Sequence, residues 1–380
     1  MKIGIDARMY GPKQAGLGRY VQQLITGLLE IDSENEFVFF VRDVRDPLLT
    51  SPYKGEGKVS VVVADIPWYG LAEQIKFKKI IQKEKLDLMH FPHWNVPLFY
   101  NDPFVVTIHD LIMYHYPRPE ATTLGPIKFW LKDRAHRIVL RHAVKKAKKI
   151  IVTSEFTRQD VHETLGVELE KMAVTYQAPV VRTQNTINKT QLLNKFWINK
   201  SYVLYVGNSY PHKNLDRLLK AWGIFEKKFG FDYQLVLAGK ESVFYTNLKS
   251  YVLCPKSAIF VGYVPDDELA QLYSSASLYV FPSLYEGFGL PPLEAQQYGA
   301  PVVSSSASCL PEVLGESALY FDPENVEQMA DAIHRGLTDE NIRFQLKQNA
   351  AENLKRFSGE RMARETKNIY ENYVLRPFSS

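Results

Sequence analysis

Short apolar runs alternate with amphipathic helical stretches along nearly the whole chain, and that alternation restricts it to one class of fold. Runs of strand character stand at Lys2–Asp6, Phe37–Val41, Val59–Val63, Leu86–His90, Val105–His109 and Lys149–Thr153. A second set follows at Tyr202–Val206, Gln234–Ala238, Ala258–Val261, Leu278–Phe281, Pro301–Ser304 and Ala318–Phe321. Strands separated by helices are the pattern of parallel sheets wrapped on both faces. The sequence therefore predicts an α/β protein with two domains, which 380 residues also suit. Between the sets, APVVRTQNTINKTQLLNKFWINKSY loses the apolar rhythm, which places the boundary within 181–200 and divides the chain into 1–185 and 186–359. After Asn325 the sequence reads as helical and ends in a polar tail.

Ligands of open parallel sheets bind beyond the carboxyl ends of strands, so the strand-to-helix junctions are where chemistry is expected, in a cleft between two such domains. The most informative junction is SLYEGFGLPPLEAQQYGAPVVSS, Ser283 to Ser305. Pro291 and Pro292 mark a helix start, because proline suits the first turn. That leaves Glu286 in a loop and Glu294 in the first turn or so. A helix N-terminus with Gly287 and Gly289 before it suits an anion. The two carboxylates then read as acceptors for sugar and ribose hydroxyls, or as acids that simply favour a helix start.

In YVGNSYPHKNLDRLLKAW, Lys213 stands at the mouth of a helix beginning near Asn214, where an ammonium can neutralise a leaving diphosphate. In PFVVTIHDLIMY a strand delivers His109 and Asp110 at its carboxyl end, and histidine donates hydrogen bonds near neutral pH. His90 and His93 lie near it in sequence, but no carboxylate or Cys completes a metal-binding set. In DARMYGPKQAGLGRYVQQL, Gly16 and Gly18 precede a helix; the distance from the strand end near Asp6 is too long for a dinucleotide loop and predicts a flexible glycine loop able to close over a ligand.

Composition excludes several classes. With 46% hydrophobic and 23% charged residues the chain is an ordinary globular protein. A net charge of +4, from 46 basic and 42 acidic residues, is too small an excess for a nucleic-acid partner. The excess is local: KFWLKDRAHRIVLRHAVKKAKK, between Lys128 and Lys149, predicts a basic helix. It suits peripheral contact with an anionic membrane or lipid-linked substrate, or is a core-facing helix with a solvated basic side. Cys254 and Cys309 are isolated, which argues against a disulfide framework and a zinc site. The chain opens directly on a strand and has no run of about 18 apolar residues, so a cytoplasmic location is expected, at most peripheral on the inner face of the membrane.

With these junctions in order, the chain resembles the retaining glycosyltransferases of family 4, which have the GT-B fold. The resemblance rests on AGLGRY, THD with His109, GN…HKN with Lys213, FVGYVPDDEL, EGFGLPPLEA and GAPVVSS, with the spacing of Glu286 and Glu294 its most specific element. It implies two Rossmann-like domains, the C-terminal one holding the nucleotide, and a final helix within 360–380 packing back on the N-terminal, acceptor-side domain. By motif position it implies catalytic roles for His109, Glu286 and Lys213. Glu286 would contact the donor sugar, Glu294 the ribose, Lys213 the diphosphate and His109 the sugar near the reacting carbon. Gly287, Phe288, Gly289 and Leu290 would line the donor, with Tyr263 and Val264 at the base and Gly16, Gly18 and Asn208 in the donor-binding set. Many members carry Gly-Arg where this chain has Gly207-Asn208, so Lys213 acts more alone, or Arg19 or His212 compensates. Transfer would be metal-independent, by front-face attack or by double displacement through Glu286. The layout looks most like bacterial enzymes that use GDP-mannose to build surface polysaccharides, with a UDP-hexose as the alternative donor. A sugar-nucleotide epimerase, an NAD-dependent oxidoreductase and a non-catalytic scaffold are the competing classes.

Overall fold

The computed structural model describes residues 1–11, 14–43, 58–117, 125–180, 188–249 and 255–374. The chain divides into two compact units, Met1–Ala178 with Ser358–Ser380, and Pro179–Phe357. The boundary expected between 185 and 186 lies outside the described residues, as do Cys254 and the end of the polar tail.

The first unit is built on seven strands: β1 (Lys2–Asp6), β2 (Glu36–Val41), β3 (Val59–Val63), β4 (Leu88–Phe91), β5 (Phe104–Ile108), β6 (Lys149–Val152) and β7 (Met172–Val174). Their order is β3-β2-β1-β4-β5-β6-β7. Every neighbouring pair is parallel. The sequence predicts about six strands here and misses β7, whose three residues are too few to show a period.

Along β2, Phe37, Phe39 and Val41 join one buried cluster while Val38 and Phe40 join another. Alternate residues point to opposite faces, so both faces are covered, as a parallel sheet requires. One cluster packs Tyr20, Leu24, Ile25 and Leu28 of the helix Ala15–Ile31 against Met362, Ala363 and Tyr370 of the final helix, Gly359–Val374. Burying each of the Leu, Ile and Met side chains among them stabilises by about 1.5–3 kcal/mol. A buried hydrogen-bond chain joins that helix to the sheet: His90 Nδ1 lies 2.6 Å from the Tyr370 hydroxyl, its Nε2 lies 2.9 Å from Thr107 Oγ1, and Thr107 lies 3.1 Å from the Tyr20 hydroxyl.

The second unit repeats the plan with β8 (Ser201–Val206), β9 (Tyr233–Ala238), β10 (Ala258–Gly262), β11 (Leu278–Phe281), β12 (Val302–Ser305) and β13 (Ala318–Phe321). These six strands run in the order β10-β9-β8-β11-β12-β13, again all parallel. The helix Leu215–Phe229 covers this sheet with Leu215, Leu218, Leu219, Trp222 and Phe225, a stripe at helical spacing. In each unit the connections reverse direction beside the first strand, between β1 and β4 and between β8 and β11. That switch point is where loops diverge and leave room for a ligand.

The basic helix runs from Gly125 to Lys146, and Lys149 already belongs to β6. Its core-facing reading holds only in part: Leu140 is buried, whereas Trp130 and Ile138 are 58% and 57% exposed.

Candidate functional site

In the second unit, β8 and β11 are neighbours, so the segments leaving their carboxyl ends meet although 73 residues separate Lys213 from Glu286. After β8 the chain turns at Asn208, whose carbonyl accepts from the Tyr205 hydroxyl at 2.7 Å and whose Oδ1 accepts from the Tyr210 N–H at 3.2 Å. One 3-10 turn, Pro211–Lys213, then presents Lys213 ahead of the helix Leu215–Phe229. Asn214, wholly buried, donates from its amide to the carbonyls of Pro282 at 3.0 Å and Pro323 at 2.8 Å. The Leu284 N–H donates to the His212 carbonyl at 2.8 Å. These bonds fix the Lys213 turn against the segment leaving β11.

Lys213 Nζ donates to Glu286 Oε1 at 2.5 Å, with side chains 12% and 9% exposed. The Glu286 N–H donates to Ser308 Oγ at 3.1 Å. An ion pair so far removed from water is held by close geometry, because each charge alone would be costly there. The sequence assigns the two residues to different parts of a ligand; the structure makes them one unit. It also places Lys213 where a further negative charge would be met by a fixed ammonium.

The helix Leu290–Gln297 starts one residue before the double proline. Gly289 precedes it at φ 91°, and a β-carbon there would lie 2.8 Å from Leu310 Cδ2, so the position requires glycine. Glu294 is consequently the fifth helical residue, where the first turn passes into the second, in keeping with its expected place in the first turn or so. Its carboxylate accepts from the hydroxyl of the buried Tyr273 at 3.2 Å. The Phe288 ring is committed to packing, edge-on to Phe357 at 5.5 Å. Leu290 is half-buried. Tyr263, 70% exposed, and the buried Val264 follow β10 at the sheet edge, with β9 between them and β8.

In the first unit, His109 follows β5. Its Nε2–H donates to the Pro92 carbonyl at 2.8 Å, and Nδ1 therefore accepts from the Gln177 amide at 2.9 Å. Its own carbonyl accepts from the Thr153 hydroxyl at 2.8 Å, and Tyr20 packs edge-on at 4.7 Å. Burial lowers its pKa to about 4, against the opposing bond to Pro92. The free donor that the sequence leads one to expect is thus a neutral imidazole with both nitrogens engaged. A ligand would bond to it by replacing Pro92 or Gln177.

Gly16 and Gly18 are corrected as well. They lie in the first turn of the helix Ala15–Ile31, not in a loop before it. A β-carbon on Gly18 would sit 2.0 Å from the Gly11 carbonyl oxygen, so Gly18 is a packing residue, while Gly16 has open space around it. His212, offered as compensation for the missing arginine, is 2% exposed, and Arg19 belongs to the first unit.

Sequence reasoning missed the buried cluster beyond β1. Arg8 Nη2 bonds Asp6 at 2.7 Å and Glu73 at 2.6 Å, and Asn95 donates to Glu73 at 2.5 Å. Burial alone would lower the Arg8 pKa, but Asp6 and then Glu73 outweigh it and raise it. Asp6, Arg8 and Asn95, together with Leu17, Trp68 and His93, line a small pocket at the switch point between β1 and β4. Charges directly after a strand end, in DARMY, were the available signal. Ser308 and Tyr273, which hold the two glutamates, left none. Among the described residues no group of three or more His, Cys, Asp or Glu is placed to hold a metal ion.

Residues 15–178 match the family described as Glycosyltransferase Family 4, and residues 189–353 the family described as Glycosyl transferases group 1. Among curated proteins, the chain is 28% identical over 281 residues to the O-antigen chain mannosyltransferase RfbU of Salmonella typhimurium, covering 70% of this chain and 72% of that one. It is 29% identical over 277 residues to O-antigen chain mannosyltransferase B of Escherichia coli, covering 70% of each. Sucrose-phosphate synthase from Thermosynechococcus elongatus shares the fold, with a TM-score of 0.73 over 99% of both chains at 21% identity.

Proposed function

The chain belongs to glycosyltransferase family 4 and has the GT-B fold, and from that premise we propose that it transfers mannose from GDP-mannose, with retention, to a glycan or lipid-linked acceptor in surface polysaccharide synthesis. The likeness to two O-antigen mannosyltransferases supports the choice of sugar. The observation that carries the reading is the Lys213–Glu286 pair at the switch point of the second sheet.

In the proposed reaction the bond from the anomeric carbon to the diphosphate oxygen breaks. A bond from the acceptor oxygen forms on the same face, and the acceptor's proton passes to the departing diphosphate. Lys213 stabilises the charge developing on that diphosphate. Glu286 keeps Lys213 in place and accepts from sugar hydroxyls; its engagement with the ammonium favours this role over that of a nucleophile. Glu294 takes the ribose, the backbone of Gly287, Phe288, Gly289 and Leu290 lines the donor, Asn208 shapes the turn before Lys213, and Tyr263 and Val264 serve the base. His109 acts near the reacting carbon as a neutral, fixed imidazole. Gly16 stays on the donor side of the proposal, and no metal takes part. The proposed location is the cytoplasm, against the inner face of a membrane.

Thermal-shift measurements with GDP-mannose, UDP-glucose and ADP-glucose test the donor, since a ligand that binds only the native state raises its melting temperature. The largest rise is expected with GDP-mannose, and a clear preference for UDP-glucose would replace the donor.

A further inference from the structure

We propose that the first unit docks on an anionic lipid bilayer through one face, formed by the helix Gly125–Lys146 and the segment 69–83. The helix buries Leu140, Ala143 and Val144 on one side. At 3.6 residues per turn, Ile127, Trp130, Leu131 and Ile138 fall in an arc of roughly 100° on the opposite side. They are 75%, 58%, 55% and 57% exposed, where a core-facing helix would present polar groups. Among them and flanking them stand the exposed cations Lys128, Lys132, Arg134, Arg141, Lys145 and Lys146. The helix's only acid, Asp133, is bonded to Arg137 at 2.7 Å. The Arg134 guanidinium lies 5.7 Å from the centre of the Trp130 ring, the pairing of indole and cation that a bilayer interface accommodates.

The segment 69–83 has the same character. Leu71, Ile75 and Tyr69 are 83%, 54% and 53% exposed, Lys76, Lys79 and Lys83 are exposed beside them, and the one acid, Glu73, is buried on Arg8. The two patches adjoin through ring contacts: Tyr69 lies tilted at 5.4 Å from Trp94, and Trp94 lies edge-on at 4.4 Å from His136 of the helix.

Large apolar side chains among cations with no free carboxylate match a surface that takes both: the acyl boundary receives the former and anionic headgroups the latter. An acidic macromolecule would satisfy the charge and leave the apolar groups wet. A second copy across a two-fold axis would set the same cations against each other. No described helix is long and apolar enough to cross a membrane, so the contact is peripheral. The proposal depends on the proposed function only for its purpose, access to a lipid-linked acceptor.

Sedimentation of the full chain with phosphatidylcholine vesicles, with and without phosphatidylglycerol, tests it. Binding is expected only to the anionic vesicles and is lost at high salt. The triple variant Ile127→Ser, Trp130→Ser, Leu131→Ser is expected to bind at least about tenfold more weakly with an unchanged melting temperature, and Lys132→Glu with Arg141→Glu to weaken binding about fivefold or more per residue. Equal binding to both vesicle types, or none, overturns the proposal. So does a lipid-free dimer that the triple variant converts to monomer. Failure here with intact transfer to a soluble acceptor removes the surface and leaves the function; vesicle binding without transfer does the reverse.

Discussion

Lys213 Nζ lies 2.5 Å from Glu286 Oε1 because β8 and β11, far apart in the chain, are paired side by side in the second sheet. Both residues are expected to matter for the same step. Lys213→Ala and Glu286→Gln should each lower kcat by about 100-fold or more, the range for losing one group that stabilises developing charge. The double variant should be no worse than the poorer single one, since paired groups act as a unit. Initial rates of transfer decide it, and near-wild-type turnover in both single variants would sink the site assignment. Either single change leaves a shielded charge without its partner and should cost up to about 3 kcal/mol in urea unfolding, part of which the double variant recovers.

Glu294, held by Tyr273, belongs to ground-state binding in this reading. Glu294→Gln should raise KM for the donor by about 10-fold or more with kcat little changed, as expected when a charged hydrogen bond is lost equally from substrate and transition state. Tyr273→Phe should show a smaller rise in KM. A fall in kcat with KM unchanged would instead place Glu294 at the reacting centre.

The buried histidines predict how stability follows pH. Burial foremost, and the nearby His109 second, lowers the His90 pKa to about 3, against 6.5 in the unfolded chain. His109 is lowered to about 4. On unfolding, both rings take up protons that the folded state refuses. Their contribution is therefore fully present above pH 6.5 and is lost as pH falls from there towards 4 and then 3. For His90 the slope grows as pH falls below 6.5 and approaches about 1.4 kcal/mol per pH unit near pH 5, measurable as urea-unfolding free energies between about pH 7 and pH 5. His90→Asn should flatten that slope; an unchanged slope would mean another group sets it.

The glycines near β1 and β11 separate packing from ligand contact. Gly18→Ala and Gly289→Ala should each destabilise by more than about 1 kcal/mol, the first through a collision with the Gly11 carbonyl and the second through its φ of 91°. Gly16→Ala meets nothing and lies in a helix, so it should be neutral or stabilise by about 0.5–1 kcal/mol. A loss of activity in Gly16→Ala without loss of stability would support its place at the donor.

If Lys213 supplies the positive charge that departing diphosphate needs, transfer should proceed undiminished in excess chelator. A rate abolished by EDTA and restored by a divalent cation would assign that charge to a metal instead.

Much of the fold was legible in the sequence because buried parallel strands are short continuous apolar runs and the helices between them carry apolar stripes; Lys2–Asp6 and Leu278–Phe281 are found where the pattern puts them. β7 escaped because three residues at an edge have no period. The places of the candidate residues were legible too, since strand ends and helix mouths can be read from the chain: Lys213 and Glu286 stand there, and Glu294 lies one turn into its helix. What the chain cannot announce is strand order, and strand order decides which loops meet. Only the pairing of β8 with β11 turns Lys213 and Glu286 into one ion pair, only the fold closes both nitrogens of His109 on Pro92 and Gln177, and only the placement of the basic helix turns Trp130 and Ile138 away from the core. Local sequence fixes period and propensity over a few residues, whereas these three outcomes depend on long-range packing against residues that no local pattern identifies.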